Sequence, residues 1–252
     1  MNAVDEKRYK GIYLLPNLFT TAGLFAGFYA VTSAMSGRFE AAAIAIFVAM
    51  VMDGIDGRLA RMTHTESDFG KEYDSLADMV SFGLAPALVM YQWALAPLGK
   101  VGFAGAFMFA AAAALRLARF NTQAGIVDKG YFQGLASPAA AALIAGMVWW
   151  GDVAQWPRHE LAGAAFMLTV IAGVLMVSNI RYFSFKSADL KGRVPFIRIL
   201  FVVGVFGLVA MDPPRVLFTV ALLYALSGPV LTVAQLRYRR AGRKTHNRDD
   251  QS

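Results

Sequence analysis

Four aspartates between positions 53 and 78 have the spacing most useful for chemistry in this chain. Asp53 and Asp56 are three residues apart, and Asp74 and Asp78 are four residues apart. On a helix, these spacings place both members of a pair on one face, so each pair forms an edge of two carboxylates. Acids inside membrane-length apolar segments are costly unless positive charge lies among them, and hard divalent cations supply that charge. Two such ions held close together suit chemistry on a phosphate.

The composition indicates that the elements around these acids cross a membrane. Of the 252 residues, 57% are hydrophobic and 16% are charged, and the mean hydropathy is +0.49. A soluble globular protein carries roughly 25% charged residues. We therefore expect one integral-membrane domain over residues 1–252. The chain contains no cysteine, which excludes disulfides and thiolate metal sites. Its basic residues are spread between apolar spans, so we expect no nucleic acid among its partners.

Hydropathy windows of about 20 residues predict an all-α polytopic membrane bundle. We expect about eight transmembrane helices, since eight apolar stretches are separated by polar residues or turn residues. The predicted spans are residues 14–34, 39–60, 74–96, 101–118, 137–150, 161–178, 196–211 and 216–236.

The distribution of Lys and Arg sets the expected orientation. With a cytoplasmic N-terminus, 20 of the 24 Lys and Arg fall on the cytoplasmic side, and Arg38, Lys100, Arg158 and Arg215 fall on the other. An even number of spans keeps both termini in the cytoplasm. The four aspartates then lie at the cytoplasmic ends of the second and third spans. We expect a protein of the cell (inner) membrane whose site faces the cytoplasm.

The aspartates belong to a longer pattern, D-x-x-D-G-x-x-A-R-x8-G-x3-D-x3-D, which runs from Asp53 to Asp78 and includes Gly57, Arg61 and Gly70. Every fixed position is filled at the right spacing, and the pattern resembles the signature of the CDP-alcohol phosphatidyltransferase family. Its two glycines also suit a close approach between backbone and ligand, which a side chain would block.

Further segments extend this resemblance over most of residues 14–186, which we take as the catalytic core; beyond residue 186, including the last two spans at 196–236, only the hydrophobic pattern is similar. Residues 16–20, P-N-L-F-T, resemble the segment that opens the first span in many members. Residues 69–83, 115–121, 132–138 and 178–186 resemble the subgroup that forms phosphatidylserine. The chain departs from the subgroup at Ala136, where the usual residue is proline.

The resemblance implies a transferase of phospholipid biosynthesis. It would transfer the phosphatidyl group of CDP-diacylglycerol to the hydroxyl of L-serine and release CMP, assisted by two divalent cations, Mg²⁺ or Mn²⁺. By their positions in the motif, Asp53, Asp56, Asp74 and Asp78 match the metal ligands, and Asp78 also matches the proton acceptor. A serine hydroxyl is a poor nucleophile at neutral pH and needs such a base within hydrogen-bond reach. The family also implies a homodimer in the lipid bilayer.

Other positions of the family motif contact the CDP-lipid. Here they are occupied by Gly57, Arg61 and Ser67, while Asn17 and Thr20 match the segment that holds the nucleotide. Arg61 suits this role because a guanidinium can donate two parallel hydrogen bonds to a phosphate. The alternatives are an interfacial arginine for Arg61, and a polar helix start for Asn17 and Thr20.

The carboxylate of serine requires a cation, and four basic residues on the cytoplasmic side are candidates: Arg116, Arg119, Arg181 and Lys186. Asn121 could accept a hydrogen bond from the serine ammonium. For each basic residue alone, anchoring to lipid headgroups is the alternative, and for Asn121 it is capping of the fourth span.

Three other functions stay open at the level of sequence. The acceptor could be glycerol 3-phosphate or inositol phosphate, which spacing alone does not distinguish from serine. A membrane prenyltransferase also uses aspartates and metal, but usually in two clusters far apart in sequence. A cation transporter or channel could hold intramembrane carboxylates, but it would have no need of Arg61 or of the paired glycines.

Overall fold

The computed structural model describes residues 14–63, 67–123, 131–183 and 196–249, which form eight helices and two short strands. In chain order these are α1 (Leu14–Met35), α2 (Phe39–Thr63), α3 (Asp68–Leu98), α4 (Lys100–Gln123), β1 (Tyr131–Gln133), α5 (Ser137–Val153), α6 (Arg158–Val177), β2 (Arg181–Phe183), α7 (Phe196–Met211) and α8 (Pro213–Asp249). Each helix overlaps one predicted span, so the helical class is confirmed.

Within the described ranges, five helices are long and apolar enough to cross a membrane: α1, α3, α4, α6 and the first 20 residues of α8. Helices α5 and α7 have 17 and 16 residues, slightly fewer than the roughly 20 that a hydrocarbon core requires. Large apolar side chains cover the outside of the bundle, including Phe25, Phe107 and Leu223, each more than 60% exposed. A surface of this kind suits lipid, and the chain is an integral membrane protein.

The helix ends follow from local sequence. Helix α3 begins after Ser67, whose hydroxyl accepts a hydrogen bond of 3.0 Å from the backbone N–H of Gly70. Gly37 lies between α1 and α2 with φ +73°, and Gly99 between α3 and α4 with φ +58°. Glycine reaches this left-handed region without steric cost, so both residues permit tight turns.

Small residues bring α1 close to both α2 and α3. Ala30 on α1 and Ala42 on α2 are completely buried in the core, and side chains of this size allow helix backbones to approach. A Cβ atom added to Gly27 would lie 2.9 Å from the Cα of Ser81 on α3. The hydroxyl of Ser81 donates a hydrogen bond of 3.1 Å to the carbonyl of Gly23. Helix α1 therefore lies in the angle between the two helices that carry the acids.

A small antiparallel sheet, which hydropathy did not predict, joins two loops at the end of the bundle that carries the acids. Phe132 of β1 lies opposite Tyr182 of β2. Gly134 has φ +78°, and a Cβ atom there would lie 2.2 Å from the carbonyl oxygen of Met176. Each strand has three residues, fewer than the alternation of about four that reveals a strand in sequence.

Candidate active site

The carboxylates of α2 and α3 converge at one cavity. One oxygen atom from each of Asp53, Asp56 and Asp74 lies within 4.8 Å of the other two. Asp78, one turn further along α3, lines the same cavity. The structure therefore brings together the four aspartates of the motif; helical spacing accounts for each pair, and the packing of α2 and α3 brings the two pairs to one cavity.

Asp56 is the most buried of these acids and is oriented by a residue of α1. Its side chain is 4% exposed, and the hydroxyl of Thr20 donates to its Oδ2 at 2.8 Å. The same hydroxyl lies 3.1 Å from the carbonyl oxygen of Pro16. A hydrogen bond of this kind fixes the orientation of a ligating carboxylate.

The cavity has the size and chemistry of a metal site. It is narrow and open on one side, with a volume of about 10 Å³, which is room for about one water-sized sphere. Its lining residues are Thr20, Gly23, Ala49, Asp53, Asp56, Asp74, Ala77, Asp78, Ser81 and Phe82. Converging carboxylate oxygens fit a hard divalent cation such as Mg²⁺ or Mn²⁺. A nucleotide headgroup is larger than this cavity and would extend beyond it.

Arg116 on α4 brings positive charge to the acids. Its half-buried guanidinium lies close enough to Asp78 and Asp53 to interact with them electrostatically. Its Nη1 also donates a hydrogen bond of 2.7 Å to the hydroxyl of Ser137, which is buried at the start of α5. Of the residues predicted to bind serine, Arg116 therefore lies beside Asp78 and Asp53.

Two other predicted serine-binding residues make hydrogen bonds with different partners. Arg119 donates to the side-chain oxygens of Gln133 and Asn179, the latter at 2.7 Å, and so connects α4 with the sheet. Asn121 donates a hydrogen bond of 2.9 Å to the hydroxyl of Ser75 on α3. The side chain of Arg181 and the whole of Lys186 lie outside the described residues.

The predicted CDP-lipid residues lie on α1 and α2 and directly before α3. A Cβ atom on Gly70 would lie 3.1 Å from Ser67 Oγ and 3.5 Å from Asn17 Oδ1, so α1 and α3 meet there. Gly57 directly follows Asp56, and no atom lies within 4 Å of the place a Cβ would take. Arg61 is exposed in the last turn of α2.

Two residues next to Arg116 were not predicted from the sequence. Ser137 accepts its hydrogen bond, and Tyr224 on α8 lies near enough to interact with its charge. Ser137 falls in the segment 132–138 that resembles the phosphatidylserine-forming subgroup, so a signal for it existed. Tyr224 lies in an apolar span whose pattern contains no such signal.

Comparison with known proteins identifies the class. Residues 13–178 match the family model of CDP-alcohol phosphatidyltransferases, and the chain belongs to this family, which confirms the resemblance seen in the motif. The chain is similar to the CDP-diacylglycerol–serine O-phosphatidyltransferase of Helicobacter pylori strain 26695, with 37% identity over 195 residues, 77% of this chain and 82% of the relative.

Two archaeal relatives are also similar. A CDP-diacylglycerol–serine O-phosphatidyltransferase of Methanocaldococcus jannaschii is 39% identical over 137 residues, which cover 54% of this chain and 61% of the relative. The archaetidylserine synthase of Methanothermobacter thermautotrophicus is 32% identical over 181 residues, which cover 71% and 73%.

Proposed function

We propose that this protein transfers the phosphatidyl group of CDP-diacylglycerol to the hydroxyl of L-serine, giving phosphatidylserine and CMP. The observation that carries the proposal is the convergence of carboxylate oxygens from Asp53, Asp56 and Asp74 within 4.8 Å, in a cavity that Asp78 also lines. The choice of serine is supported by the names of the relatives in Helicobacter and Methanocaldococcus.

The proposed metal ligands are the three converging aspartates, with Asp78 as a further ligand. Two bound divalent cations, Mg²⁺ or Mn²⁺, would neutralise the diphosphate and stabilise the phosphate that leaves. The role of the protein fold is to hold the carboxylates in place before the substrate binds. Thr20 contributes by its hydrogen bond to Asp56, so we propose that it acts on the nucleotide end of the site through this carboxylate.

Asp78 is the proposed proton acceptor. It would take the proton of the serine hydroxyl as the new oxygen–phosphorus bond forms, while the bond from phosphorus to the CMP oxygen breaks and CMP keeps the electron pair. Arg116 lies beside Asp78, and its guanidinium suits the carboxylate of serine. Serine bound there would have its hydroxyl near the base.

The remaining proposals concern the lipid-binding residues and the orientation of the protein in the membrane. We propose that Asn17, Gly57, Arg61 and Ser67 bind the CDP portion of the lipid around the mouth of the cavity. All eight helices would cross the inner membrane with both termini cytoplasmic, so that serine enters from the cytosol. The chain would form one catalytic domain and assemble as a homodimer.

A test of the proposal uses purified protein, CDP-diacylglycerol and Mg²⁺ or Mn²⁺ with one alcohol at a time. Labelled serine should appear in phosphatidylserine, in equal amount to the CMP released. If CMP were released only with glycerol 3-phosphate or only with inositol phosphate, that alcohol and not serine would be the acceptor. Cation flux in proteoliposomes without any CMP release would show that the protein is a transporter or channel and not an enzyme.

A further inference from the structure

We propose that Ser81 on α3 is a positioning residue for the reaction, because its hydrogen bond to the backbone of α1 at Gly23 fixes Asp78 relative to the metal-binding carboxylates. The inference rests on the transfer reaction proposed above. Ser81 lies three residues beyond the last aspartate of the motif, and neither the motif nor the proposed reaction gives it a role.

The Ser81 side chain is enclosed at the wall of the metal cavity. It is 2% exposed and lines the same cavity as Asp78. Its hydroxyl donates a hydrogen bond of 3.1 Å to the carbonyl oxygen of Gly23, which also lines the cavity. A carbonyl has two lone pairs, so it can accept this bond in addition to one within its own helix. The bond therefore joins α3 to α1 without leaving a backbone group of α1 unpaired.

Two glycines of α1 make this contact possible. A Cβ atom on Gly27 would lie 2.7 Å from Ser81 Oγ, so a larger residue there would displace the hydroxyl. A Cβ atom on Gly23 would lie 3.6 Å from the Cβ of Met52 on α2, the residue before Asp53. The backbone of α1 at Gly23 therefore packs against α2 and accepts the hydrogen bond from α3. It follows that the bond sets the position of α3 relative to α2.

A second hydrogen bond of α1 lies one turn from the first. The hydroxyl of Thr20 donates to Asp56 Oδ2 on α2 at 2.8 Å, and Thr20 is three residues before Gly23, so both lie on one face of α1. Helix α1 thus holds a proposed metal ligand of α2 through one bond, and the helix that carries Asp78 through the other.

The backbone of α3 changes its hydrogen-bond pattern directly after Asp78. Residues Met79–Leu84 form a π-helical turn, and the N–H of Ala85 donates to the carbonyl of Val80, five residues earlier. Such turns are rare and occur frequently at functional sites. Ser81 lies within this turn, so its bond to α1 holds α3 at the place where the backbone departs from regular α-helix. A shift of the turn would move Asp78, the residue that precedes it.

The two acids of α3 depend on this bond to different degrees. Beside Asp74, the hydroxyl of Tyr73 lies 2.9 Å from the hydroxyl of Thr21 on α1, so this end of α3 has an attachment of its own. Loss of the Ser81 bond should therefore displace Asp78 more than Asp74. A displacement of about 1 Å from the reactive geometry can lower a rate by up to about a hundredfold.

The first experiment compares Ser81→Ala with Ser33→Ala as the matched control. Ser33 on α1 is completely buried, and among the described residues its hydroxyl has no hydrogen-bond partner. S33A therefore removes the same atom without breaking a bond. S81A should lower kcat about tenfold, because the base is displaced, and S33A should leave it unchanged. The affinity for Mn²⁺, measured by electron paramagnetic resonance on detergent-solubilised protein, should stay close to that of wild type in both variants.

Three results would overturn the inference. The first is an unchanged kcat in S81A, and the second is an equal loss of kcat in S33A. The third is a loss of Mn²⁺ affinity in S81A as large as its loss of kcat, because the displacement would then not be specific to the base. If S81A does not fold, Ser81→Cys replaces it with the same expectation, since a thiol is only a weak hydrogen-bond donor.

The second experiment sets S81A against Thr20→Val, which removes the other hydrogen bond of α1. T20V should raise the Mn²⁺ concentration needed for half-maximal CMP release and regain most of its kcat at saturating Mn²⁺, whereas S81A should keep the lower kcat at any Mn²⁺ concentration. The same response in both variants would contradict separate roles for the two bonds.

Failure of this inference can be distinguished from failure of the proposed function. Wild-type protein is assayed alongside with serine and with the other alcohols, and its inactivity with serine would refute the proposed acceptor. The ratio of kcat between S81A and wild type is measured with whichever alcohol supports turnover, and Mn²⁺ binding is measured without any turnover.

Discussion

The hydroxyl of Thr20 on α1 donates a 2.8 Å hydrogen bond to the carboxylate of Asp56 on α2, across 36 residues of sequence. The bond lies in the buried part of the site, where the carboxylate can be held in one orientation for a cation. The first helix, which carries none of the four aspartates, therefore takes part in shaping the metal site.

We expect Thr20→Val to weaken metal affinity by about tenfold or more, because this substitution keeps the shape of the side chain and removes the hydrogen bond. The measurement is the Mn²⁺ concentration that gives half-maximal CMP release. Thr32→Val is the matched control on the same helix, since the Thr32 hydroxyl bonds to backbone carbonyls of its own helix. Equal metal requirements in the two variants would show that the Thr20 contact does not orient the ligand.

Asp78 and Asp74 lie one turn apart on α3 but have different proposed roles. Asp78→Asn should abolish turnover while CDP-diacylglycerol still binds in the presence of metal, because the amide cannot accept the serine proton. Asp74→Asn should reduce both turnover and metal-dependent lipid binding. Binding of CDP-diacylglycerol to detergent-solubilised protein separates the two variants, and equal loss of binding would argue against Asp78 as the base.

Removal of metal should stop the reaction completely. The carboxylates of Asp53, Asp56 and Asp74 have oxygens within 4.8 Å of one another, and mutual repulsion in this arrangement calls for a cation. A strong chelator should therefore abolish CMP release, and added Mg²⁺ or Mn²⁺ should restore it. Turnover that persists at full rate under chelation would refute the metal-assisted mechanism.

The fold could be predicted where apolar pattern and helix coincide, and less well where helices continue into polar sequence. The seventh helix has the predicted limits, Phe196–Met211. Helix α3 begins at Asp68 and not at residue 74, because its first turns are polar and a hydropathy window does not detect them. The same reason explains why α8 continues to Asp249, well beyond the predicted end at residue 236.

The site could be predicted as far as local spacing determines geometry. The pairs of aspartates share helix faces because helical periodicity requires it. Arg116 and Arg119, by contrast, were equal candidates for binding serine. Of these two residues, the structure places Arg116 beside the acids and Arg119 against Asn179. What separates them is the contact of Arg119 with the short sheet, and nothing in the sequence pattern predicts that sheet.

This separation leads to different expectations for two substitutions on α4. Arg116→Gln should lower kcat at least tenfold and raise the KM for serine, because it removes the charge beside Asp78. Arg119→Gln should lower the thermal unfolding midpoint, because it breaks the contacts to Gln133 and Asn179, with a smaller effect on the KM for serine. If the KM for serine rises more in R119Q than in R116Q, Arg119 and not Arg116 would be the residue that binds serine.

The close approach of α1 to α3 gives a last prediction, concerning Gly27. A Cβ atom there would lie 2.9 Å from the Cα and 2.7 Å from the Oγ of Ser81, one turn beyond Asp78. Gly27→Ala should therefore destabilise the protein by about 1–3 kcal/mol, as overpacking does, and lower CMP release by displacing α3. Gly163→Ala on α6 meets no atom within 4 Å and should be neutral or stabilising by up to about 1 kcal/mol. The two variants are compared by thermal unfolding in the same detergent. Equal unfolding midpoints would mean that α1 and α3 can move apart without loss of stability, which would contradict the prediction.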